Sequence, residues 1–197
     1  TLAKAIEAAG LTYTINEGDG AFYGPKIDYI VIDALGREWQ TATTQLDFQL
    51  PRRFALKYID AHNEHQTPIV IHRALYGSLE RFIGILIEHY AGAFPFWLSP
   101  VQCHVITIGE AHVPYGQDIH QQLTHKGIRS YLDDRNESTN YKIREAETHK
   151  IPYALIVGDR EMAQREVSLR VHKKGNLGTL SLEACLAKLN EENAMHF

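Results

Sequence analysis

The pattern of apolar residues changes at a proline-bracketed aromatic segment, Ala93-Phe-Pro-Phe-Trp-Leu-Ser-Pro100. After this segment, short apolar runs that favour strands alternate with longer runs of helical period, up to a closing helix over 181–193. Alternating elements of these lengths are typical of a small α/β domain with a mixed sheet. We therefore predict two domains, residues 1–97 and residues 98–197.

The part before the aromatic segment predicts an antiparallel sheet rather than an alternating fold. Its predicted elements are a helix over 1–9, strands over 11–15, 26–33, 37–44 and 68–75, and a helix over 78–90. The turn at 34–36 makes a hairpin of the second and third strands. The chain opens without Met or a signal-peptide pattern, and we interpret it as cut from something longer.

Charge and cysteine usage limit the kind of protein this is. The net charge is −4, with 8 basic and 11 acidic residues over 1–99 and 12 and 13 over 100–197. An RNA contact would therefore come from a local patch rather than a whole-protein field. Cys103 and Cys185 form no CxxC pair and no disulfide framework, which fits the reducing cytoplasm. No apolar run approaches the roughly 18 residues of a membrane span.

Two stretches of the first part carry polar groups in unusual places. The glycine-rich loop over 18–26 enters a strand, and Lys26 could meet an anion there; an ordinary hairpin loop is the alternative. On the following strand, Gln40 and Gln45 could form a polar floor for a small molecule, because a strand that faced a core would carry apolar groups. A solvent-facing strand is the alternative.

A third stretch, over 71–82, runs from a strand through a glycine turn into a helix. Ser78 is placed to cap the helix. Arg81 lies off the apolar stripe together with Gly84 and Glu88, and an arginine in a first turn opposes the helix dipole. A bound phosphate would satisfy both the arginine and the helix N-terminus. A pair with Glu80 or Glu88 is the alternative.

Taken together and in this order, these stretches resemble threonyl-tRNA synthetases. The residues that carry the likeness are Gly20-Ala-Phe-Tyr-Gly-Pro-Lys26, Gln45-Leu-Asp-Phe48 and His72-Arg-Ala-Leu-Tyr-Gly-Ser-Leu-Glu-Arg81, the last similar to motif 3 of class II synthetases. The likeness continues through Phe96–Gln102, Lys142–Glu145 and Val157–Asp159 and covers essentially the whole chain. It implies the C-terminal part of an α+β class II catalytic domain, built on an antiparallel sheet, followed by a small α/β anticodon-binding domain.

The resemblance implies a function for the full-length protein. It would be a cytoplasmic homodimer that joins threonine to ATP, with Mg²⁺, as threonyl-adenylate and transfers threonine to tRNA(Thr), without contact to DNA or a membrane. The family uses a zinc ion whose first two protein ligands lie upstream of this chain, as do motifs 1 and 2. We therefore expect the isolated chain to be inactive and to hold zinc poorly.

The family's site residues can be carried over to matching positions. His72 would be the third protein ligand of the zinc, and Arg81 would act catalytically by holding the ATP phosphates. The threonine pocket would include Tyr23, Lys26 and Gln45, the adenylate side Gln40 and Ser78, and the anticodon contacts Asn136, Glu161 and Arg170. We expect His72 and Arg81 to face a common pocket. Thr41 and Tyr76 depart from the Cys and Leu that the family often has, which suggests minor differences in the pocket.

Three other interpretations stay open at the level of sequence. The chain could belong to a non-catalytic RNA-binding module that kept the synthetase scaffold. It could also come from a glycyl-, prolyl- or histidyl-specific relative. Finally, the residues alone favour a solvated hairpin edge for the basic cluster that contains Arg170.

Overall fold

The structure is a computed structural model and describes residues 2–194. The chain divides into two compact units, of which the first ends at His89 and the second begins at Tyr90. Phe96 is buried in the core of the second unit, where its ring packs edge-on against Tyr153 with centroids 5.4 Å apart. The domain boundary between residues 97 and 98 stays a prediction.

The first unit is built on a three-stranded antiparallel sheet. Its elements are α1 (Leu2–Ala8), β1 (Lys26–Ile32), β2 (Glu38–Asp47), α2 (Leu50–Arg53), β3 (Tyr58–Ile59), β4 (His65–Gln66), β5 (Val70–Ala74) and α3 (Leu79–His89). The strand order is β1-β2-β5, and β3 pairs separately with β4. The hairpin is confirmed, and Asp33 Oδ1 closes its turn by accepting 2.9 Å hydrogen bonds from the amides of Leu35 and Arg37. The strand predicted over 11–15 is wrong, because those exposed residues pair with no strand.

A bulge in β2 decides which of its side chains share a face. Ala42 is the partner of Tyr29, but Gln40 is the partner of Ile30, so Thr41 is an extra residue. Cross-strand partners lie on the same face of a sheet, and Lys26 and Ile30 share a face of β1. Gln45 is the partner of Lys26. The bulge therefore brings Gln40 onto the face of Gln45, although an odd number of positions, five, lies from one to the other.

Burial differs sharply between the two units. The buried hydrophobic residues among those described all lie at or beyond Phe96, and in the first unit the apolar stripe of α3 is open, with Leu79 60% and Ile83 51% exposed. Apolar surface of this extent is typical of a face that another domain or chain covers. The first unit thus has a sheet and a helix but little core of its own.

The second unit has the predicted mixed sheet. Its elements are β6 (Cys103–Thr107), α4 (Val113–His125), β7 (Ser130–Asp133), α5 (Thr139–Thr148), β8 (Tyr153–Val157), α6 (Asp159–Gln164), β9 (Glu166–Val171), β10 (Gly175–Ser181) and α7 (Leu182–Ala194). The strand order is β10-β9-β8-β6-β7, with β7 and β8 parallel to β6 and the remaining pairs antiparallel. The sequence did not predict α6 or β10, the first because it is short and the second because it is rich in glycine.

The central strands of this sheet are buried on both sides. Every residue of β6 and β8 is buried, as expected for parallel strands that helices cover. One core cluster joins the sheet to α4 and α7, and a smaller one joins it to α5. The carboxyl ends of β6, β7 and β8 meet at one edge, the usual place for ligand contacts in such sheets. Within residues 2–194, no helix is long and apolar enough to cross a membrane.

Candidate functional site

Four of the predicted residues meet where β1, β2 and β5 lie side by side. Gln45 is the Cα partner of Lys26 on one side and of His72 on the other. The Tyr23 hydroxyl donates a hydrogen bond to Gln45 Oε1, and the centroid of the Tyr23 ring lies 5.5 Å from that of the His72 ring. A phenol, an amide and an imidazole therefore converge on one patch of the sheet.

The glycine-rich loop reaches this patch by a close backbone approach. Its backbone continues the pairing beyond β1, with Leu46 N donating to Pro25 O at 3.0 Å and Phe48 N donating to Tyr23 O at 3.1 Å. A Cβ on Gly24 would overlap the carbonyl oxygen of Leu46. Only glycine fits there, and this contact fixes Tyr23 above Gln45.

Asp47, which the sequence analysis did not assign to the site, orients His72. His72 Nε2 lies 2.9 Å from Asp47 Oδ2, and the other carboxylate oxygen accepts 2.9 Å hydrogen bonds from the amides of Gln49 and Leu50. Asp47 is fully buried. Its position two residues from Gln45, on the same strand face, was the available signal.

The ionisation of Asp47 determines which nitrogen of His72 is free. Burial alone raises the pKa of Asp47, but the hydrogen bonds from His72 and the two backbone amides outweigh it, so that the pKa lies below its ordinary value. A carboxylate can only accept a hydrogen bond, so the proton lies on His72 Nε2. His72 Nδ1 is then the nitrogen with an available lone pair.

The positive charge of Lys26 is balanced by two carboxylates of the same chain. Its ammonium lies 2.7 Å from Asp28 and 3.4 Å from Asp19. The hydrogen bond that Lys26 donates to Asp28 is the main reason that the pKa of Lys26 is raised, so the group stays charged. Lys26 thus borders the patch as a cation that two carboxylates already hold.

Arg81 lines a depression of about 260 Å³ together with Trp39, Gly84, Ile85 and Glu88. Its exposed guanidinium makes no hydrogen bond or ion pair with any residue over 2–194. Glu80 instead accepts a 2.7 Å hydrogen bond from Ser78, and Glu88 pairs with Arg37. The alternative that Arg81 pairs with Glu80 or Glu88 is therefore wrong, and a free cation faces an open depression.

The glycine turn before α3 brings Ser78 close to the bulge of β2. Gly77 has φ +65°, and a Cβ on it would lie 3.0 Å from the carbonyl oxygen of Thr41 and 3.8 Å from that of Gln40. Ser78 Oγ accepts a hydrogen bond from the Arg81 amide at 3.3 Å, which confirms Ser78 as the helix cap. The turn therefore packs against the backbone of the bulge, and the helix that Ser78 caps begins directly after it.

Thr41 and Tyr76, the two residues that depart from the family pattern, each contact another residue of the first unit. The Thr41 hydroxyl donates to the Tyr29 carbonyl at 3.4 Å, and the Tyr76 ring packs on Phe82 with centroids 4.8 Å apart. Thr41 also supplies the extra residue of the bulge. Both side chains therefore have structural contacts of their own.

His72 is not among the residues that line the depression beside Arg81. That depression includes Trp39, near the start of β2, whereas His72 pairs with Gln45, six positions further along the strand. That His72 and Arg81 face a common pocket stays a prediction.

In the second unit, Asn136 and Glu161 follow the carboxyl ends of β7 and β8 and so lie at the same edge of the sheet. The Asn136 side chain is exposed and hydrogen-bonds to no residue over 2–194. Glu161 accepts a 3.1 Å hydrogen bond from the Gly158 amide at the start of α6. The amide of Asn136 is therefore free to bind, while one oxygen of Glu161 is already engaged.

Arg170 lies apart from this edge. Its Cα partners are Ala154 on β8 and Asn176 on β10, so β9 is an internal strand and the hairpin-edge interpretation is wrong for this residue. Ala154 precedes the end of β8 by three residues, or about 10 Å. The Arg170 Nε is buried without a hydrogen-bond partner. The structure therefore presents Arg170 on the sheet face rather than beside Asn136.

The described residues offer a metal ion one ligand rather than a complete site. Over 2–194, no group of three or more His, Cys, Asp or Glu side chains is placed to hold one. His72 nevertheless fits a single ligand position, because metal-bound histidines almost always donate their other N–H to a carboxylate or carbonyl. Asp47 already accepts that hydrogen bond. The chain can supply one oriented ligand, and the others would have to come from elsewhere.

Comparison with known families matches both units. The tRNA synthetase class II core domain (G, H, P, S and T) matches residues 3–90, and the anticodon binding domain matches residues 102–192. A threonine–tRNA ligase from Carboxydothermus hydrogenoformans is 56% identical over 98% of this chain, which spans 31% of that protein. The chain thus covers about a third of the length of such relatives.

Solved structures agree with these matches. The RNA binding domain of threonyl-tRNA synthetase from Cryptosporidium parvum superposes with a TM-score of 0.85 and 38% identity, over 97% of this chain and 48% of that one. A structure described as a threonyl-tRNA synthetase from Aeropyrum pernix gives a TM-score of 0.69 and 32% identity, over 98% of this chain and 47% of that one. The chain therefore belongs to the threonyl-tRNA synthetase family and contains part of a class II core domain followed by an anticodon-binding domain.

Proposed function

We propose that this chain is part of a threonine–tRNA ligase, in which it supplies one wall of the threonine site, an ATP-binding arginine and the anticodon-reading domain. The observation that carries the proposal is the convergence of Tyr23, Gln45 and the Asp47-oriented His72 on one patch of the sheet. A small polar amino acid needs such a set of fixed donors and acceptors. The complete enzyme would be a cytoplasmic homodimer.

The patch around His72 would recognise threonine. Asp47 holds the imidazole so that Nδ1 can act as the third protein ligand of a zinc ion, with the first two ligands supplied from elsewhere in the protein. When bound, zinc would supply Lewis acidity and a coordination site for the threonine hydroxyl and amino groups. Tyr23 and Gln45 would orient the amino acid beside it, with Lys26 at the border.

Arg81 would bind the ATP phosphates. Its guanidinium is free and lies in the first turn of a helix, whose amide N–H groups also favour anions. As pyrophosphate leaves, charge builds on the phosphate oxygens, and a fixed cation stabilises that charge. Gln40 and Ser78, beside the same turn, would contact the adenylate, with Mg²⁺ accompanying ATP. Threonine would then be transferred to the terminal adenosine of tRNA(Thr).

We propose that the isolated chain does not activate threonine. Its first unit leaves the apolar stripe of α3 exposed, and of the three zinc ligands that we assign to the complete enzyme it would supply only His72. A non-catalytic RNA-binding module is the second candidate, and the well-formed core of the anticodon-binding domain would suit it equally. The presence of a complete zinc and ATP site in the longer protein separates the two.

The anticodon assignment can be tested with tRNA(Thr) transcripts. We expect the substitution of an anticodon base that the enzyme contacts to lower kcat/KM for aminoacylation by about tenfold or more. This is the usual effect of losing a hydrogen bond to a charged or fixed group. Asn136→Ala in the longer enzyme should lower it similarly, while threonine-dependent pyrophosphate exchange is unchanged. Equal charging of transcripts with altered anticodons would refute the assignment.

The requirement for glycine in the loop gives a second test. Gly24→Ala should raise the KM for threonine and destabilise the first unit by about 1–3 kcal/mol, because the new methyl group overlaps the Leu46 carbonyl and displaces Tyr23. The KM for ATP should stay unchanged. Gly20→Ala in the same loop is the matched control, since a Cβ there meets only the Gly24 carbonyl at 3.6 Å. Equal threonine KM values for both variants would contradict the role of this close approach.

A further inference from the structure

A buried lysine lies directly beneath the exposed segment that carries Asn136. Lys142, in the first turns of α5, is 1% exposed, and its ammonium donates to the carbonyls of Thr107 at 2.9 Å and Asp133 at 3.1 Å. Thr107 ends β6 and Asp133 ends β7. Lys142 therefore joins the ends of two parallel strands at the edge where the anticodon contacts are expected.

The carboxylate of Asp133 extends this cluster to the surface. Asp133 is fully buried, and Arg135 grips it with Nε at 2.9 Å from Oδ1 and a terminal nitrogen at 2.7 Å from Oδ2. Arg135 also pairs with Glu145 on α5. Lys142 Nζ lies 3.9 Å from Asp133 Oδ1. Two cations and two carboxylates thus compensate each other, as a buried charge requires.

The segment 134–137 is held at its start by the cluster and at its end by a helix cap. Asp133 holds its start, and Ser138 holds its end by capping α5, with its hydroxyl accepting from the Tyr141 amide at 3.3 Å. Within the segment, the Glu137 amide donates to the Arg135 carbonyl at 2.9 Å. Asn136 lies between these fixed residues, yet its own side chain is exposed and unbonded within residues 2–194. A free contact group is thus mounted on a backbone that the buried cluster keeps in place.

If packing were the only role of Lys142, the desolvation of its buried ammonium would be an unnecessary free-energy cost. Apolar residues of similar size often serve as well or better in place of buried ion pairs. What an apolar residue could not do is donate to the two strand-end carbonyls and so set the path of the chain that follows. A contact group held in its bound conformation loses less entropy on binding.

We propose that Lys142 and Asp133 are positioning residues for anticodon recognition, which hold the segment 134–137 so that Asn136 is presented to a base of the anticodon. This inference rests on the proposed anticodon role of Asn136. Lys142 acts through the segment and touches no RNA itself.

The test uses the longer enzyme and compares Lys142→Met with Asn136→Ala. Lys142→Met should raise the KM for tRNA(Thr) by about tenfold, reduce discrimination against anticodon-substituted transcripts, and leave threonine-dependent pyrophosphate exchange unchanged. Because both residues act through one contact, the double variant should be little worse than either single one. Arg135→Gln removes the exposed half of the cluster without placing a new group in the core, and should show the same pattern if Lys142→Met fails to fold. Arg144→Gln is the control, because it removes the same charge from an exposed residue of α5. It should weaken the binding of all transcripts equally.

Two outcomes would overturn the inference. If Asn136→Ala reduces discrimination but Lys142→Met and Arg135→Gln do not, the cluster has only a structural role. If the effects of Lys142→Met and Asn136→Ala add fully in the double variant, the two residues do not act through one contact. A failure of the proposed function itself has a different signature, since anticodon-substituted transcripts would then be charged as well as tRNA(Thr) by the unmodified enzyme.

Discussion

Arg81→Ala in the longer enzyme is expected to lower the rate of threonine-dependent pyrophosphate exchange by about 10²–10³-fold, the usual effect of removing one fixed group that stabilises transition-state charge. The free guanidinium at the start of α3 is the reason, because it faces an open depression and is not needed for any internal contact. Arg81→Lys should recover little, since an ammonium cannot bind phosphate oxygens in a bidentate manner.

The stability of the protein should not change with this substitution. The Arg81 side chain makes no hydrogen bond or ion pair with residues 2–194, so the free energy of unfolding should stay within about 0.5 kcal/mol. Arg52→Ala, another exposed arginine of the first unit, serves as the matched control and should exchange pyrophosphate normally. Normal exchange by Arg81→Ala would remove this residue from the site.

The second large effect is expected at His72. His72→Ala should reduce the zinc content of the longer enzyme from about one ion per chain to near zero and abolish threonine activation, because three protein ligands are the minimum that such catalytic sites use. Mass spectrometry of the native protein and competition with a chelator measure the metal directly. His65→Ala, an exposed histidine on β4, is the control and should keep its zinc.

Asp47 should influence the same metal through the tautomer of His72. In Asp47→Asn the amide keeps a carbonyl oxygen for the Gln49 and Leu50 N–H groups, but its NH₂ can donate to His72 Nε2 and so move the imidazole proton to Nδ1. We expect zinc affinity to fall by roughly 10–100-fold. Unchanged zinc affinity in this variant would show that Asp47 does not select the ligating nitrogen.

The sequence predicted most of the second unit because its local signals agree with the tertiary fold. The apolar runs of β6 and β8 are buried on both faces, as expected for strands between helices. The strand predicted over 11–15 was wrong because local β-propensity cannot supply a partner strand. The short α6 and the glycine-rich β10 carry no strong periodicity. β10 is a strand because it pairs with the neighbouring β9.

The site was harder to derive from sequence than the fold. Motif matches assigned roles to Tyr23, Gln45 and His72, and the structure places the three side chains close together. Alternation along β2 would have separated Gln40 from Gln45, and the bulge at Thr41 that puts them on one face leaves no sequence signal. Asp47 and Lys142 looked like ordinary strand and helix residues, because a polar residue shows its burial only in three dimensions. The role of Lys142 depends on a long-range contact with Thr107 that no local pattern encodes.

Substrate choice provides the most direct measurement of the central claim, that the patch of Tyr23, Gln45 and His72 selects an amino acid by its hydroxyl group. Pyrophosphate exchange by the longer enzyme should be supported by threonine and be weaker with valine by roughly 10⁴-fold, since valine has the same shape but leaves polar partners unmet. Comparable exchange with valine, or exchange that depends on glycine, proline or histidine, would contradict the claim.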